Sequence, residues 1–241
     1  MTETLLGGRV QYRQAPGGHR SGIEPVLLAA FVPARPGERV LEGGTGAGAA
    51  LLCLAARVAG VRGVGIEVAP EQAALARANI AANGFDCAII EGDLAGVVPE
   101  GRFDHAMANP PWHEPASTAS PDAARALARR AGEGLFAVWA QRLAGGLRHR
   151  GTLAFVTSSG TLSACLAAFT AAGCGSHTVL PLWPRAGATS KLVLIRGVRG
   201  GRGPTRLLPG LVLHAPDGGY TAAAQEVLRG GLPIAEDPAR C

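Results

Sequence analysis

The chain has no apolar run that approaches the ~20 residues of a membrane-spanning helix. The stretch from Leu51 to Ile66 is interrupted by Arg57 and Arg62. Met1–Thr4 also lacks the basic and apolar regions of a secretory signal peptide. We therefore expect neither a spanning helix nor a leader. Because 47% of the 241 residues are hydrophobic, disorder over the whole length is disfavoured as well.

Cysteine and histidine patterns that bind metals are missing. The five cysteines are scattered, no Cys-x-x-Cys pair occurs, and the six histidines have no metal-ligand spacing. Scattered cysteines are typical of proteins from reducing compartments. The sequence therefore predicts a cytoplasmic protein without a metal site.

Lysine is almost absent, since Lys191 is the only one, yet arginines bring the formal net charge to +5. From residue 185 to 206 there is no acid, and the stretch carries six basic side chains: Arg185, Lys191, Arg196, Arg199, Arg202 and Arg206. Such a patch can neutralise phosphates and favours a nucleic-acid partner. The alternative is an ordinary soluble surface in an arginine-rich protein.

Short apolar runs alternate with helical patterns between residues 38 and 200. The predicted strands are Arg39–Glu42, Gly63–Glu67, Ala88–Glu91, Phe103–Ala108 and Thr152–Thr157, and the predicted helices are Ala49–Val58, Pro70–Asn83, Pro121–Leu147 and Thr161–Ala171, the third one broken near Gly132–Gly134. Alternation of this kind predicts an α/β fold with a doubly wound, mostly parallel sheet of seven strands.

The flanking regions complete a single predicted domain. Ser176–Trp183 and Lys191–Val198 have no helix between them, so we expect an antiparallel hairpin at the sheet edge. The other predicted elements are a helix at Glu24–Phe31, a strand at Leu207–His214 and a helix at Tyr220–Arg229. We divide the domain into an N-terminal extension (1–37), a core (38–200) and a C-terminal strand and helix (201–241).

A glycine-rich turn follows the first predicted core strand. Its glycines are Gly44, Gly46 and Gly48, and a helix begins directly after them. Glycine permits positive φ and a close approach of ligand to backbone, with the helix amides directed at that ligand. The spacing also fits a relaxed dinucleotide fingerprint, so the turn alone leaves the cofactor open.

Acidic residues end three successive predicted strands. Glu42 would repel a pyrophosphate but stabilise a cation. Glu67 is suited to ribose hydroxyls, and Asp93, followed by Leu94, is suited to an adenine amino group. A cationic adenosyl cofactor satisfies all three acids, which favours S-adenosylmethionine. Taken singly, each acid has the alternative role of a capping or loop carboxylate.

Asn109-Pro110-Pro111-Trp112 follows the predicted strand Phe103–Ala108. The prolines fix their own φ angles, restrict the residue before each, and supply no amide hydrogen. The Asn109 side chain and nearby carbonyls can therefore form rigid acceptors for a planar NH2 group beside an aromatic ring. A simple strand-ending loop is the alternative. His113 and Glu114 come next and either orient a substrate or form a solvated loop pair.

With these motifs the chain resembles the class I methyltransferases and, within them, the tRNA adenine-N6 methyltransferase family. The resemblance runs from Gly18–Leu28 through the glycine turn and Asn109–Trp112 to Leu211–Thr221, whose Asp-Gly-x-Tyr-Thr tail is its most specific part. Trp112 stands where the family has Tyr or Phe, and Glu24 stands where it has Asp. The described family member modifies the adenosine beside the anticodon of a valine tRNA.

The resemblance implies a role for each candidate residue. Cofactor-binding residues would be Glu24, Glu42, Gly44, Gly46, Gly48, Glu67, Asp93, Leu94 and Asn109, and the catalytic motif would be Asn109, Pro110, Pro111 and Trp112. For tRNA contact we select Arg20, Lys191, Arg196, Arg199 and Arg202, with a salt bridge as the alternative role of Arg20. Two rival functions stay open: glutamine-N5 methylation of release factors, and RNA binding by a protein with a relic cofactor pocket.

Overall fold

The computed structural model describes residues 2–14, 22–97, 99, 101–111 and 121–234, without the side chains of 121–133. The strands are β1 (Thr2–Leu5), β2 (Val10–Arg13), β3 (Arg39–Gly43), β4 (Arg62–Glu67), β5 (Cys87–Glu91), β6 (Phe103–Ala108), β7 (Leu147–Ser158), β8 (Cys174–Trp183), β9 (Leu192–Arg199), β10 (Arg206–Leu207) and β11 (Leu211–Val212). The helices are α1 (Glu24–Phe31), α2 (Ala49–Arg57), α3 (Pro70–Asn83), α4 (Pro121–Gly146), α5 (Leu162–Ala171) and α6 (Ala222–Leu228). The predictions on Arg20, Trp112, His113 and Glu114 lie outside the described residues.

The main sheet has the order β10-β8-β9-β7-β6-β3-β4-β5, with β11 also paired to β8. Strands β3 to β7 are parallel to their neighbours in this group, and β9 is antiparallel to both β7 and β8. The predicted doubly wound, mostly parallel α/β sheet with its antiparallel hairpin is confirmed. The seven expected strands are β3 to β9.

Two short strands lie beyond the predicted hairpin. Leu207–His214 was predicted as one strand, but β10 and β11 are separate two-residue strands, each parallel to β8. Pro209 and Gly210 lie between them, and Gly210 has a φ of +91°, so the chain cannot continue as one regular strand there. The hairpin is therefore covered by these strands and is not itself the edge.

Two hydrophobic clusters fill the two faces of the sheet. Successive residues of a strand point to opposite faces, so Val40 packs in the cluster that includes α1 and α2. Its neighbour Leu41 packs in the cluster that includes α4 and α5. This two-layer burial holds the carboxyl ends of the parallel strands at one edge of the sheet.

Helix α4 is continuous, which corrects the predicted break near Gly132–Gly134. Glycine inside a helix costs only about 1 kcal/mol, and the helix beyond Gly134 packs Phe136, Ala140 and Leu143 into the core. Packing of this kind outweighs the propensity of a glycine. Among the described helices, none is both long and apolar enough to cross a membrane.

An N-terminal hairpin, β1–β2, was not predicted. Asn83 of α3 accepts from Gln11 N and donates to Gln11 O at 2.9 and 2.7 Å. Asn79 does the same with Arg13, at 2.9 Å in both directions, and also donates to Ala47 O. The two side-chain amides thus pair with the backbone of β2, and Asn79 joins the hairpin to the glycine turn.

Candidate functional site

The ends of β3, β4, β5 and β6 bring the predicted site residues to one edge of the sheet. Gly43 is in register with Ile66 of β4 and with Ala108 of β6, and Glu67 is in register with Glu91 of β5. Gly44 and Asn109 each come one residue beyond a paired position. Since neighbouring strands lie about 4.8 Å apart, the glycine turn and Asn109 are adjacent.

The glycine turn has the left-handed backbone that its composition predicts. Gly44, Gly46 and Gly48 have φ angles of +61°, +55° and +91°. Thr45 N donates to Ile66 O at 3.0 Å, and Gly48 N donates to Thr45 O at 2.9 Å. The turn is therefore a fixed backbone surface leading into α2.

Trp139 of α4 lies against Gly44. A β-carbon built on Gly44 would be 2.5 Å from Trp139 Cη2, whereas one on Gly46 would meet nothing within 4 Å. The aromatic ring therefore covers the first glycine of the turn and leaves the second open. The sequence contained no signal for this contact, because Trp139 is 95 positions from Gly44 and on a different element.

We expect Gly44→Ala to destabilise the protein more than Gly46→Ala. Both changes place alanine at positive φ, which costs roughly 1–2 kcal/mol, but only the first also displaces Trp139, at a further 1–3 kcal/mol. Urea unfolding of both variants measures the difference. A double variant that adds Trp139→Leu should recover the extra loss at Gly44, and equal destabilisation of the two single variants would contradict the contact.

Glu42 is a buried carboxyl group beneath the turn, only 3% exposed. Thr45 Oγ1 donates to its Oε2. Burial raises the pKa of Glu42 to about 8, while the Thr45 hydrogen bond lowers it and nearby Glu67 raises it further. A carboxyl group in this state gains from a cation beside it.

Glu67 and Asp93 lie at the ends of β4 and β5 but differ in environment. Glu67 is buried and accepts from Gly46 N and Ala69 N, both at 2.8 Å. Each carboxylate oxygen has a further lone pair for a ligand hydroxyl. Asp93 is exposed and accepts from Ala95 N at 2.9 Å. Leu94 is buried against Gly43.

Val68 is an exposed apolar side chain at the site that sequence reasoning missed. It directly follows Glu67 and is 65% exposed, one of the few large hydrophobic side chains so exposed among the described residues. Its exposed apolar surface lies next to Glu67, at the carboxyl end of β4. The signal was available in the sequence as an apolar residue just beyond an acid-ended strand.

Asn109 and the prolines continue directly from β6. Asn109 is half-buried, Pro110 is buried and Pro111 is exposed. Glu24 begins α1, and its carboxylate lies against Gly22. Within the described residues no group of three or more potential metal ligands is present.

The predicted RNA-binding residues do not form one surface. Because β9 is antiparallel to β7, the start of β9 pairs with Ser158, and Lys191 lies just before it, at the end of the sheet where the glycine turn lies. Arg199 pairs with Cys174 at the opposite end of the sheet. The two ends of β9 are seven residue steps apart, about 23 Å. Arg202 follows on that opposite side.

Arg196 is a structural residue, which corrects its selection for RNA contact. Its side chain is buried, donates to Phe31 O at 3.1 Å, and stacks over the Phe31 ring at 4.9 Å. A guanidinium so placed joins β9 to α1 and cannot reach a phosphate at the surface.

Comparison with known proteins identifies the domain. Residues 24–138 match the family model named Methyltransferase small domain, a span that contains the glycine turn and Asn109. This chain carries a methyltransferase domain. It is 36% identical over 121 residues to a tRNA1(Val) (adenine(37)-N6)-methyltransferase of Porphyromonas gingivalis, covering 46% of this chain and 47% of the relative.

Other relatives of the methyltransferase domain act on different substrates. A ribosomal protein L11 methyltransferase of Thermus thermophilus is 36% identical over 92 residues, covering 38% of this chain and 35% of the relative. Ribosomal RNA and release factor glutamine methyltransferases also match. In all of these the chain spans less than half the length of the relative.

A crystal structure of a predicted O-methyltransferase from Agrobacterium tumefaciens has the same fold. Its TM-score is 0.74 at 21% identity, over 89% of this chain and 99% of the other. The family and the fold imply S-adenosylmethionine as the cofactor, and the described residues fit it. Glu67 would bind the ribose, exposed Val68 would contact the base, and buried Glu42 would lie near the cationic end.

Proposed function

We propose that this protein transfers a methyl group from S-adenosylmethionine to the exocyclic N6 amino group of an adenosine in tRNA. The observation that carries the proposal is Asn109-Pro110 at the end of β6, one strand from the glycine turn. Acceptors at that position would lie beside a cofactor bound at the glycine turn. Similarity to the Porphyromonas tRNA enzyme supports the adenine substrate.

The adenine amino group is a weak nucleophile, because its lone pair is delocalised into the ring. The acceptor residues would make that lone pair available for attack. Asn109 Oδ1 and the Pro110 carbonyl would each accept one N–H and hold the nitrogen with its lone pair directed at the methyl group. S-adenosylmethionine supplies that methyl group in an activated, sulfonium-bound form. Holding reactants in line provides much of the rate, and no strong general base is needed, because the nitrogen becomes acidic as its new bond forms.

Trp112 is our candidate for the ring that stacks on the adenine. Base–aromatic stacking contributes about 1–3 kcal/mol, which is comparable to the few kcal/mol needed to extrude a loop base. Glu24, Asp93 and Leu94 remain our candidates for further cofactor contact, and Lys191 for RNA contact near the site.

Labelling of total tRNA tests the substrate. Tritiated S-adenosylmethionine and tRNA from a strain lacking this gene should give N6-methyladenosine as the labelled nucleoside. Release factor is assayed in parallel, since a side-chain amide presents a similar NH2 group and one relative of the domain bears that activity. Label found only in release factor would replace the tRNA proposal by the protein one. Failure to bind S-adenosylmethionine in calorimetry would favour a relic pocket.

A further inference from the structure

One continuous third of the chain contains no acidic residue. From Gly134 to Pro216, 83 residues include nine lysines and arginines and no aspartate or glutamate. This stretch forms the end of α4, then β7, α5 and β8 to β11. Three acids proposed for the cofactor, Glu42, Glu67 and Asp93, lie by contrast on β3 to β5 or just beyond them. The charge separation divides the sheet into a cofactor half and a basic half.

A cleft of about 910 Å³ opens between the basic half and the loop before β6. It lies at the amino ends of the parallel strands, between the loop before β6 and the last turns of α4 and α5. Three arginines line it: Arg102, Arg142 and Arg199. Among its described lining residues none is acidic. We call this region the arginine cleft.

Two of the three guanidinium groups are held in place by helix ends. Arg102 donates to Gly145 O at the end of α4, and Arg199 donates to Ala172 O after α5. The free carbonyls at a helix C-terminus carry partial negative charge and repel anions. Because the two guanidinium groups cover such carbonyls, the surface there is positive. A guanidinium has five N–H donors, and one carbonyl leaves donors for a phosphate. Arg142 is exposed in the last turns of α4.

Among the described residues, two acids near the cleft, Asp104 and Glu38, are bound to other side chains. Asp104 binds Arg148 Nε at 2.6 Å, and Glu38 lies 3.4 Å from the same guanidinium. Glu38 also contacts His105 at 2.8 Å. These two acids are engaged within their own network.

We propose that the arginine cleft binds backbone phosphates of the RNA whose adenosine is held at Asn109. The proposal rests on RNA being the substrate. Arg102 and Asn109 are seven residue steps apart along β6, about 23 Å, which is less than the ~34 Å of one B-form duplex turn. One folded RNA can therefore reach both places. Arginine suits this role because its planar fork matches phosphate oxygens.

Arg142→Ala tests the arginine cleft, with Arg62→Ala as the matched control. Arg62 is also exposed and begins β4 at the same end of the sheet, but in the cofactor half. Binding of total tRNA is measured by fluorescence anisotropy from 50 to 200 mM salt. We expect Arg142→Ala to weaken binding several-fold at low salt and to reduce the slope of log K against log salt by about 0.7–0.9, the value for one phosphate contact. Arg62→Ala should leave the slope unchanged.

Arg142→Lys distinguishes loss of the positive charge from a disturbance of the fold. It keeps a point charge and should retain most of the slope, so a slope lost equally with lysine and alanine would overturn phosphate contact by this residue. An unchanged slope in Arg142→Ala, with wild-type binding intact, would overturn the arginine cleft and leave the tRNA substrate standing. No tRNA binding by the wild-type protein, with S-adenosylmethionine still bound, would overturn both proposals.

Discussion

Replacing Asn109 by alanine is expected to lower kcat for methyl transfer by about 10²–10³-fold, the usual cost of removing one polar group that acts on the transition state. Cofactor affinity should change little. The reason is position: Asn109 follows β6, whereas the glycine turn, Glu42 and Glu67 belong to β3 and β4. Single-turnover transfer of labelled methyl to tRNA measures the first effect, and calorimetry with S-adenosylmethionine measures the second.

Asn109→Asp is the matched control for this prediction. It keeps an acceptor oxygen of the same reach, so it should retain more activity than alanine. Retention of wild-type kcat by the alanine variant would remove Asn109 from the chemistry. A loss of cofactor affinity as large as the loss of turnover would assign it to the cofactor pocket instead.

Glu42→Gln should remove a pH dependence of stability that burial of Glu42 creates. The folded pKa of about 8 lies above the ordinary 4.5, so the folded state retains a proton that the unfolded state releases between these values. Stability from this group is therefore complete below pH 4.5 and is lost as the pH rises towards 8. At 1.36 kcal/mol per pKa unit, the loss between pH 5 and pH 8 is on the order of 4 kcal/mol.

Urea unfolding of wild type and Glu42→Gln at pH 5, 6, 7 and 8 measures this effect as a difference, because other titrating groups are common to both proteins. The glutamine variant should become the more stable of the two as the pH rises. A difference that stays constant across this range would mean that Glu42 titrates normally.

Cofactor binding gives a second readout of Glu42. A cationic ligand lowers the pKa of a neighbouring carboxyl group, so S-adenosylmethionine should bind with proton release near pH 7. Calorimetry in buffers of different ionisation enthalpy detects that proton. Wild type should release it and Glu42→Gln should not.

Much of the cofactor half could be predicted from sequence, because its local signals agree with its tertiary role. Pro70 at the start of α3 and Gly84 after it fixed the helix bounds at Pro70–Asn83, as observed. The turn needs positive φ at Gly44, Gly46 and Gly48, and only glycine adopts it readily. The order of acid-ended strands placed Glu42 and Glu67 at one edge, since parallel strands end together.

The basic surface was harder to predict because charge in sequence does not specify strand direction. In the sequence, residues 185–206 form one basic patch. Strand β9 runs through the middle of this patch, so the basic residues before and after the strand lie at opposite ends of the sheet. Arg196 also points into the interior, where Phe31 supplies a carbonyl and a ring face. The contact of Trp139 with Gly44 likewise depends on how α4 packs across the sheet, which no local pattern encodes.

The side-chain amides of Asn79 and Asn83 fix the register of the N-terminal hairpin against α3. Four residues of helix rise about 6.0 Å, and two residues of strand span about 6.8 Å. The distance from Asn79 to Asn83 along α3 therefore matches the distance from Arg13 to Gln11 along β2, and strand residues an odd number of positions apart would not fit. Inserting one residue between those positions would break one of the two amide pairings and turn the buried Tyr12 side of β2 outward. Asn79 also donates to Ala47 O in the glycine turn. A shift of Arg13 that displaced the Asn79 side chain would therefore also disturb the backbone of that turn.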